Sequence, residues 1–468
     1  MKATIEIIDA VDSRVRNKKD VELIWDLLCY KAGDRFVGKL KLPIIKSFIH
    51  RGSGKFATGL VPIVKRKLEK YGCSVEIKNT NYKKLKLNTD VPDLTVTLDD
   101  YQKHVLRDIE KCNRGLIISG TASGKSIMEA ALMDMYRTPR TLVIVPTKDL
   151  LYQLGKELQR LLSLPKVGYL GDGKREVARV TVALYQTLSN YKLNKVNEQF
   201  DMVIIDEVQA SRSDSYQIIM NQLPNIHYRY GFTGTMRMKQ PDRYIIQGLV
   251  GKPIAIVPEE QTHERVAEVK MWMVAFKGEM QWRSKYHDRV EINIWNNKGR
   301  NMLIAQAIEY VNSLGLNCLI LVEKYIQAKG IQMACEELHL SAPILWNKTP
   351  NDKREELKSS LNERSLMRLI ATPAISVGTN IPNVDFLIVG SEVKSWVNLV
   401  QKVGRGRRKT ASKQLLYGMD IMTLLGDMDR NFKKQSMKKR RVYSAKGWLQ
   451  GVVDFYKFKE ELKNAIGI

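Results

Sequence analysis

Short apolar runs that alternate with helical stretches are the feature that most limits how this chain can fold. They fall into two blocks, at about residues 95–250 and 297–415. Apolar runs of this kind, separated by helices, are typical of parallel sheets that are covered on both faces. The runs read GLIISG, TLVIVPT, VTVAL and MVIIDE in the first block, and CLILVEK, RLIATP and FLIVGS in the second. The sequence therefore predicts two α/β lobes in tandem.

The region before these blocks, residues 1–90, is predicted to be a small α+β domain. The stretch SFIHRGSGKFATG, which contains Arg51, is typical of two short strands joined by a hairpin. The stretch TGLVPIVKRKLEKYG predicts a helix with an apolar face made of Leu60, Val64, Leu68 and Tyr71. Its other face carries Lys65, Arg66, Lys67 and Lys70. We expect the lobes to span 95–262 and 263–468, the second with a basic helical segment at its end.

Net charge indicates the kind of partner. The chain carries 76 Lys and Arg against 50 Asp and Glu, a net charge of +26 with pI near 9.7. Lysine and arginine displace counterions from phosphates, so a polyanion such as DNA is the natural partner. The alternative is a basic protein whose charge serves only solubility. Two regions concentrate the charge: 14 basic residues against two acids between Arg35 and Lys86, and eight against none between Arg430 and Lys446.

Several protein classes are disfavoured. No run of 18 or more apolar residues indicates a membrane span, and the start MKATIEIIDAVDSR lacks the pattern of a signal peptide. Five scattered cysteines form no C-x-x-C pair, which favours buried thiols over disulfides or a zinc site. We therefore expect a cytoplasmic protein without a membrane partner, located in the host cytoplasm if a phage encodes it.

A glycine-rich turn follows the first apolar run. A phosphate needs inward-pointing backbone N–H groups, which small residues permit, and the run GTASGKS leads directly into a predicted helix. Lys125 would reach the β/γ phosphates of ATP and Ser126 would hold Mg²⁺. Ser119 stands where the strict pattern has its first glycine. The alternative is a simple Gly/Ser turn with an exposed lysine. The predicted nucleotide-binding residues here are Gly120, Thr121, Ala122, Ser123, Gly124, Lys125 and Ser126.

Two adjacent acids end the run MVIIDE. Asp206 would hold Mg²⁺ through water, and Glu207 would polarise the attacking water as general base. A metal lowers the cost of a carboxylate at the end of a buried strand. The alternative is an ordinary helix-capping acid pair, which the upstream phosphate loop makes less favourable.

Taken in order, these motifs resemble superfamily 2 helicases and translocases. TLVIVPTKDLLYQ is similar to motif Ia, VALYQTL to the next strand-contacting motif, GFTGT to motif III, LILVEK to motif IV, ATPAISVGTNIPNVDFLIV to motif V and QKVGRGRR to motif VI. The resemblance implies two RecA-like lobes that use ATP and Mg²⁺. It implies adenine reading by Gln102, which lies 23 residues before Lys125. The further implied residues are Pro146, Thr147, Lys148, Gln186 and Thr187 on the nucleic acid, Gly378 at the nucleotide, and Gln401, Arg405 and Arg408 in catalysis.

Motif VI also has a physical rationale of its own. Charge accumulates on the γ-phosphate during phosphoryl transfer, and a guanidinium from a second lobe can neutralise it. Arg405 and Arg408 are therefore predicted to be arginine fingers. Outside this motif order, GRGRRK would be typical of a solvated or nucleic-acid-binding basic loop.

Gln209 departs from the family pattern, which commonly has His or Asp at that position. The position tends to link the hydrolysis site to motifs III and VI. Glutamine has both a donor and an acceptor and can still form a bridge, although it cannot carry charge.

Within the superfamily the chain most resembles the phage UvsW-type (RecG-like) branched-DNA helicases. The resemblance lies in FIHRGSGKFATGLVPIVKRKLEKYGCSVEI and VGYLGDGKREVARVTVALYQTL. It implies fork regression, Holliday-junction migration, and strand unwinding and annealing, with other replication or recombination proteins as further partners. The alternatives are an RNA helicase, a duplex-DNA translocase that does not unwind, and a nucleic-acid-binding protein with an inactive motor.

Overall fold

The structure, a computed structural model, describes most of the chain. The described residues are 2–37, 40–79, 84–87, 92–120, 123–137, 139–190, 196, 198–234, 241–258, 261, 267–278, 280–372, 383–391, 403, 415–425 and 430–468. The chain forms two compact units, Met1–Gln261 and Thr262–Ile468. Within these ranges the structure contains no helix that is long and apolar enough to span a membrane.

The N-terminal part of the first unit has a sheet of its own, with strand order β5-β2-β1-β6. Strands β1 and β6 are parallel, whereas β1–β2 and β2–β5 are antiparallel. Strands β3 and β4 form a separate antiparallel pair. The elements are β1 Lys2–Ile7, β2 Asp12–Val15, α1 Lys18–Trp25, β3 Cys29–Val37, β4 Leu40–Ser47, β5 Lys55–Ala57, α2 Val61–Lys70 and β6 Ser74–Asn79.

Helix α2 confirms the predicted helix, with one exception in its apolar face. Leu60, Val64 and Leu68 are fully buried, whereas Tyr71 is 47% exposed. Tyr71 lies beyond the last helical residue, and the chain turns at Gly72, whose φ is +73°. The phenol therefore leaves the stripe that the 3.6-residue period assigned to it. The predicted hairpin is present, but its pairing is short: Ile49 and Phe56 form a single antiparallel bridge.

The rest of the first unit is built on an eight-stranded sheet with order β10-β9-β11-β8-β12-β13-β7-β14. Every neighbouring pair is parallel except β9–β10, a hairpin at one edge. The elements are α3 Asp100–Glu110, β7 Arg114–Ser119, α4 Lys125–Tyr136, β8 Thr141–Val145, α5 Lys148–Leu161, β9 Gly168–Gly171, β10 Lys174–Glu176, β11 Val180–Leu184, α6 Tyr185–Leu188, β12 Met202–Ile205, α7 Asp214–Asn221, β13 Tyr228–Thr233, α8 Asp242–Val250 and β14 Pro253–Val257.

The second unit has a seven-stranded sheet, order β17-β18-β16-β19-β20-β15-β21, in which every pair is parallel. Its elements are β15 Glu268–Gly278, α9 Tyr286–Val290, α10 Lys298–Ser313, β16 Cys318–Leu321, α11 Tyr325–Glu337, β17 Ile344–Leu345, α12 Asn351–Asn362, β18 Arg368–Ala371, β19 Phe386–Val389, β20 Leu415–Leu425, α13 Arg430–Ala445, β21 Leu449–Val453 and α14 Phe455–Ile466. The two predicted α/β lobes are confirmed. The segment after residue 415 also contributes strands to the sheet, which its basic helical composition did not indicate.

Within the first unit, the N-terminal part packs directly against the part that is built on the eight-stranded sheet. The Ala10 N–H donates to the Pro224 carbonyl at 3.0 Å, and Arg114 Nη2 donates to the Ala10 carbonyl at 2.8 Å. Tyr244, on α8, is buried within the N-terminal core. Close approach requires glycine at residue 59, because a Cβ there would lie 2.0 Å from the carbonyl oxygen of Gln247. The two parts of this unit therefore share one packed interface.

We expect Gly59→Ala to destabilise the first unit by about 3 kcal/mol, since the added methyl must displace backbone rather than a flexible side chain. Thermal unfolding monitored by circular dichroism measures this loss. Gly33→Ala is the matched control, because a Cβ at that position meets no atom within 4 Å. Equal melting temperatures for the two variants would contradict the close packing at residue 59.

Candidate active site

The phosphate loop joins β7 to α4, as the sequence predicts. Gly124 adopts the left-handed conformation, with φ 73° and ψ 41°, directly before the first helical residue, Lys125. Only glycine adopts this conformation without a Cβ penalty. The free N–H groups of the first helical turn, together with the positive end of the helix dipole, favour an anion at this point. Lys125 and Ser126 are both half-buried in that turn.

Ser119, which replaces the first glycine of the strict pattern, forms a hydrogen bond inside the loop. Its buried hydroxyl donates a hydrogen bond to the Ser123 hydroxyl, which in turn donates to the Gly120 carbonyl at 2.7 Å. The side chain in the place of the first glycine thus closes the base of the loop. The Ser123 carbonyl accepts a further hydrogen bond from the Tyr101 hydroxyl at 2.7 Å, which joins α3 to the loop.

Gln102 contacts the phosphate loop from α3. Its Nε2 donates to the Ser123 carbonyl at 3.2 Å, and its Oε1 accepts from the Asp99 N–H at 3.0 Å. The side chain is fully buried. Both ends of the amide are therefore engaged within the protein, and the structure links the predicted adenine-reading residue to the conformation of the loop. Its contact with a base stays a prediction.

The topology brings three motifs to one edge of the sheet. Strand β13 lies between β7, which leads into the phosphate loop, and β12, which ends at Asp206. All three are parallel, so their carboxyl ends meet where ligands of α/β sheets bind. Glu207, directly after Asp206, adopts φ 50° and ψ 48°, which is unusual for a residue with a side chain. Such strained conformations cluster at functional sites.

Gln209 links two of these motifs. Its Nε2 donates to Glu207 Oε2, and its Oε1 accepts a hydrogen bond from the Thr233 hydroxyl at 2.6 Å. The bridge that a glutamine could form at this position is thus present. It holds one carboxylate oxygen of Glu207 in place. The contact joins the end of β12 to the end of β13.

Two buried carboxyl groups shape the electrostatics. Burial, reinforced by the neighbouring Glu207 carboxylate, raises the pKa of Asp206 to about 7, and Lys125 opposes that rise. Burial also raises the pKa of Glu129 well above its usual range. Neither carboxylate oxygen of Glu129 has a hydrogen-bond partner among the residues that the structure describes. Sequence reasoning missed Glu129, although it lies four residues after Lys125 on the same face of α4.

This concentration of acid fits a divalent cation. A desolvated carboxylate is unfavourable without nearby positive charge, and Lys125 compensates only part of it. Asp206 and Ser126 are the residues that would hold Mg²⁺, consistent with the hard oxygen ligands it prefers. The metal would supply neutralisation of phosphate charge.

The residues predicted to contact the nucleic acid lie just after the ends of two adjacent β-strands. Strands β8 and β11 are paired, and Gln186 Nε2 donates to the Pro146 carbonyl at 3.4 Å. Thr147 caps α5, its hydroxyl accepting the Leu150 N–H at 3.4 Å. Thr187, in α6, is half-buried.

Lys148 has a partner that the sequence did not reveal. It forms an ion pair with Asp172, which lies in the turn between β9 and β10 and also accepts the Tyr152 hydroxyl at 3.0 Å. Contact of Lys148 with a nucleic acid would have to exchange this carboxylate for a phosphate.

The basic residues predicted to contact duplex DNA lie on or near α2. Arg66 and Lys70 are exposed, Lys65 and Lys67 are half-buried, and Lys65 lies 3.7 Å from Glu69. Arg51 stacks over the Trp25 ring at 5.7 Å.

Other predicted residues lie outside the described ranges. They are Thr121 and Ala122 of the phosphate loop, Gly378 of motif V, and Gln401, Arg405 and Arg408 of motif VI. Their roles stay predictions.

Two family models match the chain. Residues 95–238 match the res subunit of type III restriction enzymes, and residues 300–410 match the helicase conserved C-terminal domain. Together they span the phosphate loop, the acid pair and motifs IV to VI. The predicted resemblance to superfamily 2 helicases is thus confirmed.

Individual relatives agree with this family. The chain is 24% identical over 363 residues to a putative DNA 3'-5' helicase Rad25 of Haloarcula marismortui, a match that covers 74% of this chain and 55% of that protein. It is 22% identical over 345 residues to the ATP-dependent DNA helicase uvsW of Enterobacteria phage T4, covering 70% of this chain and 68% of that protein. The chain thus spans little more than half the length of the first relative.

A solved structure supports the fold. Saccharomyces cerevisiae Dbp5 bound to RNA and ADP BeF3 superimposes with a TM-score of 0.55 at 14% identity, covering 79% of this chain and 97% of that one. At this identity the likeness shows the fold alone, which is that of two RecA-like lobes.

We expect Gln209→Ala to lower the ATPase kcat about tenfold to hundredfold while KM for ATP changes little. A general base contributes about 10²–10⁴-fold, and Glu207 would lose the donor that orients it. Gln209→His should keep turnover within about threefold, because imidazole can also bridge. Steady-state ATPase assays measure both. Full activity of Gln209→Ala would show that the bridge to Thr233 has no part in hydrolysis.

The pKa of Asp206 predicts a pH-dependent affinity for nucleotide. Below about pH 7 the folded protein holds a proton on this carboxyl, and the metal needs the ionised form. Mg-ADP binding should therefore strengthen as pH rises through 7 and release protons. Calorimetry at pH 7 in two buffers of different ionisation enthalpy counts those protons. Asp206→Asn should release fewer, and an unchanged count would place the titrating group elsewhere.

Proposed function

We propose that the chain is an ATP-driven DNA helicase that remodels branched DNA in replication, recombination and repair. The reactions we assign to it are fork regression, Holliday-junction branch migration, and strand unwinding and annealing. The observation that carries the ATP-driven part is the bridge from Glu207 through Gln209 to Thr233 beside the phosphate loop. It links Glu207, the proposed general base, to the end of β13, the strand that pairs with β7.

The described residues support a division of labour in hydrolysis. Lys125 and the N–H groups at the start of α4 bind the phosphates of ATP. Asp206 and Ser126 hold Mg²⁺. Glu207 accepts a proton from the attacking water, and Gln209 keeps its carboxylate in position. Arg405 and Arg408 are proposed to neutralise the γ-phosphate from the second unit.

DNA is the proposed polymer because both named relatives are DNA helicases, and because the chain's net charge of +26 suits a polyanion. A preference for branched DNA needs a second grip on the substrate. The N-terminal part supplies one, since α2 exposes Arg66 and Lys70 on a body that packs against the motor through Gly59 and Tyr244. Contacts of this kind position a duplex without reading its sequence.

ATPase rates without polymer and with RNA, single-stranded, duplex and forked DNA test this proposal. We expect forked DNA to stimulate most and RNA least. Glu207→Gln should bind Mg-ATP normally and lower the stimulated rate by about 10²-fold or more. Asp108→Asn, which changes a half-buried acid of α3 that pairs with Lys111, should not. Equal stimulation by RNA and DNA would favour an RNA helicase, and stimulation by duplex without strand separation would favour a translocase.

Neutralising α2 tests the proposed duplex grip. Arg66→Ala with Lys70→Ala should weaken fork binding and lower the log–log salt slope by about 1.8, at about 0.9 per lost phosphate contact. ATPase activity stimulated by single strands should stay unchanged. Lys18→Ala with Lys19→Ala removes equal charge from exposed positions of α1 and is the control. An unaltered slope in the α2 variant would assign its charge to solubility.

A further inference from the structure

Helix α13 of the second unit exposes a continuous cationic face. Five exposed basic residues lie away from its buried stripe, three opposite it and two on one flank: Lys434, Lys438 and Arg441, and Lys433 and Arg440. The helix contains no acid. Within the described ranges, no acid forms an ion pair with any of the five. From Lys433 to Arg441 the helix rises about 12 Å, so these charges are closely spaced and mutually repulsive.

A buried ion pair fixes which side of α13 faces outward. Lys439 Nζ lies 2.6 Å from Asp420 Oδ1 and also donates to the Ile421 carbonyl at 3.1 Å. The Tyr443 hydroxyl donates to Asp420 Oδ2 at 2.7 Å. Lys439 and Asp420 are both at most 1% exposed. A buried charge left without its partner is very costly, so the helix cannot rotate about its axis without a large penalty. The cationic face is therefore preorganised.

Trp282 is an exposed aromatic residue on a fixed backbone. Its side chain is 61% exposed, which is unusual for an indole. The buried Asn293 side chain accepts the Gln281 N–H at 2.9 Å and donates to the Gln281 carbonyl at 2.8 Å. The chain just before Trp282 is thus held from both sides. Arg283 reaches back to the Trp282 carbonyl at 2.8 Å.

The segment that carries Trp282 packs against the first turn of the cationic helix. Phe432, in the first turn of α13, packs in a small apolar cluster that includes Met280 and Tyr286, on either side of Trp282 in the sequence. The rings of Tyr286 and Phe432 lie 6.3 Å apart, and Gln435 donates a hydrogen bond to the Tyr286 hydroxyl. Tyr286 is half-buried and Trp295 is buried, so Trp282 alone of these three rings faces solvent.

We propose that Trp282 and the exposed cations of α13 form a binding surface for single-stranded DNA on the second unit. The backbone phosphates lie along the helix and an unpaired base stacks on the indole. Proteins that hold single strands combine a cationic track with aromatic rings in this way. Only an unpaired base can offer its face to Trp282, which favours a single strand over a duplex. The inference rests on the proposed DNA motor and adds a contact outside the helicase motifs.

Binding of a labelled thymidine 20-mer, followed by fluorescence anisotropy, tests the stacking. Trp282→Ala should weaken binding about 5-fold to 150-fold, the range produced by loss of one base–aromatic stack. Trp282→Phe should restore most of it, and duplex affinity should stay unchanged. Tyr456→Ala, which removes a ring that is 77% exposed on α14, is the matched control. Equal weakening on single strands and duplex, or none on either, would overturn the stacking contact.

The cationic face is tested by the salt dependence of the same binding. Lys434→Ala, Lys438→Ala and Arg441→Ala, combined, should reduce the log–log slope by up to about 2, at about 0.7 per phosphate on a single strand. The control removes equal charge from other helices of the unit, where acids lie nearby: Lys353→Ala, Lys457→Ala and Lys463→Ala. Equal slopes for the two triple variants would overturn the proposed surface.

Stimulation of ATP hydrolysis distinguishes this inference from the proposed function. A parent protein whose ATPase does not respond to any DNA would refute the DNA motor itself. A parent that responds, with Trp282→Ala and the α13 triple variant indistinguishable from it in affinity and salt slope, would refute only the new surface.

Discussion

The parallel strands at the centre of the two large sheets, which are buried on both faces, set the conditions for the rest of the molecule. Parallel strands need long crossovers, so helices must cover the sheet, and the carboxyl ends of its central strands meet at one edge. The phosphate loop, the acid pair and Thr233 are therefore neighbours there although they are far apart in the chain. Strand β13, between β7 and β12, turns three separate motifs into one site.

The site accepts unfavourable electrostatics, and its surroundings compensate for them in part. Asp206 and Glu129 are buried beside Glu207, and burial raises the pKa of the first two. Lys125 opposes the effect, and a bound cation would oppose it further. Gln209 is suited to this environment because a neutral amide can orient Glu207 without adding charge. A glutamine bridge thus serves where the family commonly has His or Asp.

The N-terminal part is a packed component of the first unit. Tyr244 completes its core from α8, and Gly59 permits backbone contact with the same helix. Helix α8 follows β13, the strand that ends at Thr233. The N-terminal part, which carries the cations of α2, packs on this helix. This arrangement gives the proposed duplex grip a fixed position relative to the site of hydrolysis. The second unit fixes its own cationic helix in a comparable way, through the buried pair of Lys439 and Asp420.

The sequence by itself determined the fold class, the phosphate loop and the acid pair, because each depends on local pattern: apolar runs for buried strands, small residues for a phosphate, acids at a strand end. Tertiary structure decided the partners. Thr233 for Gln209, Asp172 for Lys148 and Ser123 for Gln102 are all contacts between elements distant in the chain. Local periodicity also assigned Tyr71 to the buried face of α2, although the helix ends one residue earlier and Tyr71 is exposed. Trp282 is exposed whereas Trp295 is buried, because burial depends on which parts of the fold cover each ring.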